Sequence, residues 1–91
     1  MESQRVAIIP KEEVSHYKLV PAEIDQSTHW KHTLDYAVRL GNEFKSKTYI
    51  SFLTSQGARA IETTVWSLTE NHIEIKGGID IPLNSIIDIH Y

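Results

Sequence analysis

The chain has 91 residues, nine Lys and Arg against twelve Asp and Glu, a net charge of −3 and no cysteine. A length of this order makes one domain, residues 1–91, with one modest core, since so short a chain buries only about 60–65% of its unfolded surface. The charge balance lacks the basic surplus from which nucleic-acid binders draw affinity, and the missing cysteines exclude disulfides, thiolate nucleophiles and cysteine-ligated zinc.

Residues 1–26 are the least regular part. Met1 to Arg5 lack the basic and apolar regions of a signal peptide, and no apolar run is long enough to span a membrane, so a cytoplasmic location is expected. Val6 to Ile9 are strand-prone and stop at Pro10, Lys11 to Val14 suit one helical turn, and Tyr17 to Val20 are strand-like up to Pro21. Two apolar runs punctuated by prolines predict an extended segment lying on the domain. The alternative is a partner-binding segment that is disordered alone.

Residues 27–42 fit a helix over about 28–41. Ser27 or Thr28 can cap its start, and Gly41-Asn42 can end it in a left-handed turn. Trp30, Leu34, Ala37, Val38 and Gly41 then share a face, with Lys31–Asp35 and Asp35–Arg39 paired at i,i+4. A strand over residues 30–40 also fits, with Leu34, Tyr36, Val38 and Leu40 alternating against Asp35, Ala37 and Arg39. Length and the capping residues favour the helix.

From residue 47 to 91 the period is two. Thr48 to Thr54 form one strand, with Ile50 and Phe52 opposite Tyr49 and Leu53. Ala58 to Leu68 form a second, long strand whose two apolar faces suit a bend that serves both sides of a small barrel. Ile73 and Ile75 point inward in the third strand, Ile79 and Ile81 in the fourth. Ile86 to Tyr91 follow a turn at Pro82 to Ser85. Gly77-Gly78 marks a two-residue hairpin loop because such a loop needs positive φ, and Glu70-Asn71 marks a second hairpin, with Asn71 as the left-handed residue. The fold class expected is α+β, mostly β: an extended N-terminal segment and one helix packed on a bent five-stranded antiparallel sheet or small barrel.

This order, over residues 28–91, resembles the small barrels of Sm-like and SH3-like domains: a helix, five bent strands and a 3₁₀ turn before the last. The Sm sequence signature is not carried. Where that family has a second glycine five residues after Gly57 this chain has Glu62, and no Asp…Asn pair stands around Leu68 to Asn71. RNA binding therefore does not come with the layout. The stretch Leu68 to Gly78 is similar to strands of bacterial PH-like barrels, which close with a C-terminal helix, whereas this chain ends on a strand-like run. Glu62 to Glu70, with Lys76-Gly77-Gly78 and Ile81-Pro82, is similar to small uncharacterised bacterial proteins, a resemblance that brings no activity.

No motif for nucleophilic catalysis or phosphate binding is present. His29 and His32, at i,i+3 on the helix, could approach one metal ion if His16, His72, His90, Glu74 or Asp88 added a ligand. The plainer reading is two exposed polar residues flanking a buried Trp30, and no cofactor or metal is expected. His72/Glu74 and Asp88/His90 share strand faces, as ordinary solvent-facing residues do. Trp66 and Trp30 are read as packing residues, Trp66 against Leu34 or Val38, with an interface anchor as the alternative for each. The last strand has only Asp88 and His90 to protect its edge, so partner binding or self-association is expected there, with Trp66, Trp30, Ile86, Asp88 and His90 as binding residues. The function expected is a non-enzymatic protein-binding or self-associating module. The alternatives are an Sm-like nucleic-acid binder and a small metal-dependent enzyme using His29 and His32.

Overall fold

The computed structural model describes residues 6–23 and 27–90. Tyr91, expected in the last strand, and residues 24–26 of the N-terminal segment lie outside them. The described residues form seven strands and one α-helix: β1 (Ala7–Ile8), α1 (Ser27–Phe44), β2 (Thr48–Thr54), β3 (Gly57–Thr63), β4 (Val65–Leu68), β5 (His72–Ile75), β6 (Ile79–Pro82) and β7 (Ile86–His90). One sheet has the order β1-β3-β2-β7 and the other β4-β5-β6. The protein is α+β and mostly strand, and its two sheets do not close into a barrel. Among the described residues no helix is long and apolar enough to cross a membrane.

The long strand expected from Ala58 to Leu68 is interrupted at Thr64, where the chain leaves the four-stranded sheet and enters the three-stranded one. The corner is pinned by the Lys76 N–H, which donates to the Thr64 carbonyl at 3.0 Å. Thr63, Thr64 and Val65 are all buried there, because the inside of a bend belongs to the faces of both sheets. At the far end the chain crosses back through Pro82, which lacks an N–H to donate, and a 3₁₀ turn at Leu83–Ser85 held by the Ser85 hydroxyl on the Pro82 carbonyl, 2.8 Å.

Turn chemistry follows the sequence in outline and departs from it in detail. Gly77 and Gly78 have φ of +96° and +76°, and the Gly78 N–H donates to the Ile75 carbonyl at 3.0 Å. Ile75 pairs with Ile79, so the loop has three residues, Lys76 to Gly78, not two. Asn71 is not left-handed; among the described residues outside glycine only Lys45 has positive φ. The β4–β5 turn is held instead by Thr69, whose N–H donates to the His72 carbonyl at 2.8 Å and whose hydroxyl accepts the His72 N–H at 3.1 Å.

Residues 6–23 of the N-terminal segment lie on the domain. β1 runs parallel to β3, with Ile8 paired to Ala60. A 3₁₀ helix at Lys11–His16 drops Val14 into the core, and Leu19 bridges to Thr54 at the end of β2. The main core joins Leu34 and Ala37 of α1 to Ile50, Phe52 and Ile61 of one sheet and Val65, Ile73, Ile75 and Ile81 of the other. Each such aliphatic or aromatic side chain contributes about 1.5–3 kcal/mol by leaving water.

Helix α1 runs to Phe44, past the expected stop at Gly41-Asn42. Lys45 (φ 55°) is the left-handed residue; its N–H donates to the Gly41 carbonyl at 2.9 Å and the Ser46 N–H to the Leu40 carbonyl at 3.4 Å. Gly41 serves another purpose. A Cβ on it would lie 2.5 Å from the Val65 carbonyl oxygen and 2.9 Å from Thr64 Cγ2, so the helix can meet the start of β4 only where a side chain is missing. Gly41→Ala separates two effects: helix propensity would add about 1 kcal/mol, whereas forced overpacking costs about 1–3 kcal/mol. The clash is with backbone, so urea denaturation is expected to read a net loss. A gain in stability would contradict this close approach.

Thr48 and Thr63 face each other across β2 and β3, and both are buried with hydroxyls that have no partner among the described residues. Removing an unsatisfied buried polar group without leaving a hole is neutral to stabilising. Thr48→Val with Thr63→Val is expected to raise stability by roughly 1 kcal/mol in the same measurement.

Candidate functional site

Alternation along β2 and β3, and along β7 with one extra residue at Ile87, sends Ile50, Phe52, Ile61, Ile86 and Ile89 into the core and leaves Tyr49, Ser51, Ala58, Ala60, Ile87 and His90 toward the opposite face. That face is open. Ile8 is 64% exposed, Tyr49 43% and Ile87 41%. Small residues form its floor, with Ser51 on β2 and Ala58 and Ala60 on β3. Ile8 from β1 stands on one side and Ile87 with His90 from β7 on the other. Together they shape a shallow groove of about 590 Å³.

The β7 side of this groove is a sheet edge. Among the described residues β7 pairs only with β2, matching Tyr49 to His90, Ile50 to Ile89, Ser51 to Asp88 and Phe52 to Ile86. One step along β2, from Ser51 to Phe52, thus spans two steps along β7, and Ile87 is the extra, bulged residue. A bulge twists an edge and weakens its invitation to other strands. Asp88 adds a second guard. Its Oδ1 accepts the Ile89 N–H at 3.0 Å and its Oδ2 lies 2.7 Å from His90 Nε2. Both side chains are at least half exposed, so this pair adds little stability, about 0–1 kcal/mol.

The start of β7 is held from behind. Trp30 is buried in the helix face, and its indole N–H donates to the Ile86 carbonyl at 3.2 Å. The sequence-predicted residues therefore sort by role. Ile86, Asp88 and His90 are brought together on β7, and Trp30 reaches them through that bond. Trp30 and Ile86 are buried, so they hold the edge in place and present no side chain to a partner. Trp66 is not part of this group. It is the extra residue of a bulge in β4, between Val65 paired to Ile75 and Ser67 paired to Glu74, and is half-buried.

His29 and His32 are both exposed. The His29 ring packs edge-on to Trp30 at 4.7 Å, while His32 borders a separate depression with Lys31, Asp35 and Leu68. Among the described residues no three His, Asp or Glu side chains converge as a metal site. The carboxyl of Glu12 is held below the usual carboxylate range by its own backbone hydrogen bond, then by Lys11 at 3.0 Å, which fits a surface turn.

Ser51, Asp88 and His90 share the groove, and these are the residue types of an acyl-transfer triad. Their geometry is otherwise. His90 Nε2 is engaged by Asp88, and among the described residues no hydrogen bond joins Ser51 to His90. An apolar floor with one polar corner, open to water, is suited to docking a chain. Sequence reasoning missed Ile8, Tyr49, Ser51, Ala58 and Ala60. The signal available was Ala58-x-Ala60 together with Ser51, three small residues on strands that otherwise carry large ones.

No protein-family model, no curated protein and no solved structure matches the chain.

Trp30→Phe keeps the ring in the core and removes the N–H from a buried carbonyl, at a cost of about 1–3 kcal/mol. The loss is expected to be local, with amides of β7 exchanging with deuterium faster than those of β5 and β6. Uniform acceleration across the chain would mean that the bond does not anchor the edge.

Proposed function

We propose that this protein is a non-enzymatic protein-binding module that adds an extended segment of another polypeptide to the free edge of β7. The observation that carries this reading is a five-residue edge strand, paired among the described residues on one side only, running beside an exposed apolar groove. Main-chain bonds along β7 would supply affinity, and alternate side chains of the added strand would pack beside the β7 rim of the groove and supply selectivity. The chemistry of the bound segment follows from the lining. It alternates, with apolar residues toward Ile87, the groove residue on β7 itself, and carries a group compatible with Asp88 and His90 at its end.

The other edges are poorer templates. β1 has two residues, β4 is bulged and meets α1 at Gly41, and β6 ends at Pro82. Panning a displayed random-peptide library on dilute protein tests the proposal. Selected peptides are expected to be alternating and strand-prone, to perturb the amides of β7 in NMR spectra, and to lose at least tenfold in affinity against Ile87→Lys, which puts a charge where about 1.4 kcal/mol of apolar contact stood. Peptides that map to α1 or to the three-stranded sheet would overturn it, as would a panning that enriches nothing.

A further inference from the structure

Resting on the edge-strand reading, we infer that the chain added to β7 is the β7 of a second copy, in one antiparallel register that sets Asp88 of each copy against His90 of the other. Two constraints select this register. The first is facing. Residues directly opposite each other on paired antiparallel strands point to the same side of the sheet. Ile89 is buried while Asp88 and His90 turn outward, so Asp88 can oppose only an outward residue. Registers that put Asp88 against Ile89 would turn a core isoleucine out into water.

The second constraint is charge. Among the facing-compatible registers, a two-fold axis through Asp88 sets two carboxylates directly opposite, which repel. A two-fold axis through Ile89 sets Asp88 against the partner's His90 and His90 against the partner's Asp88, two complementary contacts for one symmetry operation. Moving the axis on to His90 opposes the two imidazoles and leaves both carboxylates without a facing histidine.

The isolated edge already holds the same bonds in a folded-back form. Asp88 Oδ2 takes its own His90 at 2.7 Å, and Oδ1 takes the Ile89 N–H at 3.0 Å. In the paired form the carboxylate turns from its own His90 to the partner's, and the Ile89 N–H turns from Asp88 to the main chain across the axis. Donors and acceptors are exchanged one for one, so no polar group is left buried and unpaired. The bulge at Ile87 limits the ladder to the residues beyond it and bends the edge away, which prevents an open-ended stack and favours a closed pair. The two four-stranded sheets become one, and their apolar grooves lie on the same side of it.

Sedimentation velocity at high micromolar concentration is expected to give a dimer. Both guard side chains are largely exposed, so their variants keep the fold. His90→Asp places carboxylates opposite each other twice and is expected to weaken the dimer about tenfold, from two unfavourable pairs of roughly 0.7 kcal/mol each. The exchange variant Asp88→His with His90→Asp is expected to recover most of that loss. The absence of native cysteine makes a direct trap clean: chains carrying Asp88→Cys mixed with chains carrying His90→Cys should form a mixed disulfide well ahead of either like pair. A monomer at these concentrations overturns the second-copy inference and leaves the edge-strand reading to the peptide panning, which reads dilute protein. A dimer that is indifferent to His90→Asp, or that traps the like pairs as fast, overturns it too.

Discussion

Helix α1 meets both sheets, and the open arrangement of the strands depends on that span. Near its C-terminal end Gly41 lets the backbone of β4 approach closely. Near its N-terminal end Trp30 bonds the first residue of β7. Eleven residues separate the two contacts, about 16 Å of helix at 1.5 Å per residue. The helix is therefore a strut whose length fixes how far the three-stranded sheet stands from the last strand of the four-stranded one. A barrel would join those sheets through strand pairing; here a side-chain bond and a missing side chain do so.

This placement explains why one face of the four-stranded sheet is open. The core is filled from one side by α1, Val14 and the inward isoleucines of both sheets. A chain of this size has one core's worth of apolar residues, and the outer positions of β3 hold alanines where a second layer would call for larger side chains. What remains on that face is a groove bordered by a twisted, guarded edge. The guards are weak in energy, an exposed Asp–His pair and a single bulge, so they discourage indiscriminate pairing while leaving the strand accessible to a partner that offers matching groups.

Much of the fold was legible because its determinants are local. Isoleucines at alternate positions mark β5 and β6, Gly77-Gly78 supplies a positive-φ loop, and Pro82 marks the departure from β6, whereas in β7 the bulge at Ile87 turns Ile86 inward with Ile89 and breaks the expected alternation. The helix face is written in the spacing of Trp30, Leu34, Ala37 and Gly41. The misreadings share a cause. A glycine near a helix end looks the same whether it terminates the helix or admits a neighbouring backbone, and only the position of Val65 distinguishes them. The break at Thr64 falls within a run of β-branched residues that favour strand on both sides, so no local preference marks it. Of the candidate site, Asp88 and His90 were visible as alternate residues on a poorly defended strand. Ile8, Ala58 and Tyr49 were not, because they come from three segments that only tertiary pairing makes adjacent.

The parallel joint between β1 and β3 has a kinetic consequence. β2 and β3 form a hairpin closed by Ser55 and Gln56, and β5 and β6 another closed by three residues, so both can assemble from nearby chain. β1 must instead find β3 across the whole length of α1 and β2, and β7 must find β2 across the entire second sheet. Closing such long loops costs entropy before any contact returns it, so these two outer strands are expected to dock last. For an interval during folding the β2–β3 hairpin would then stand bare along both flanks. The chain's period of greatest risk of joining the wrong partner lies there, before the native edge exists.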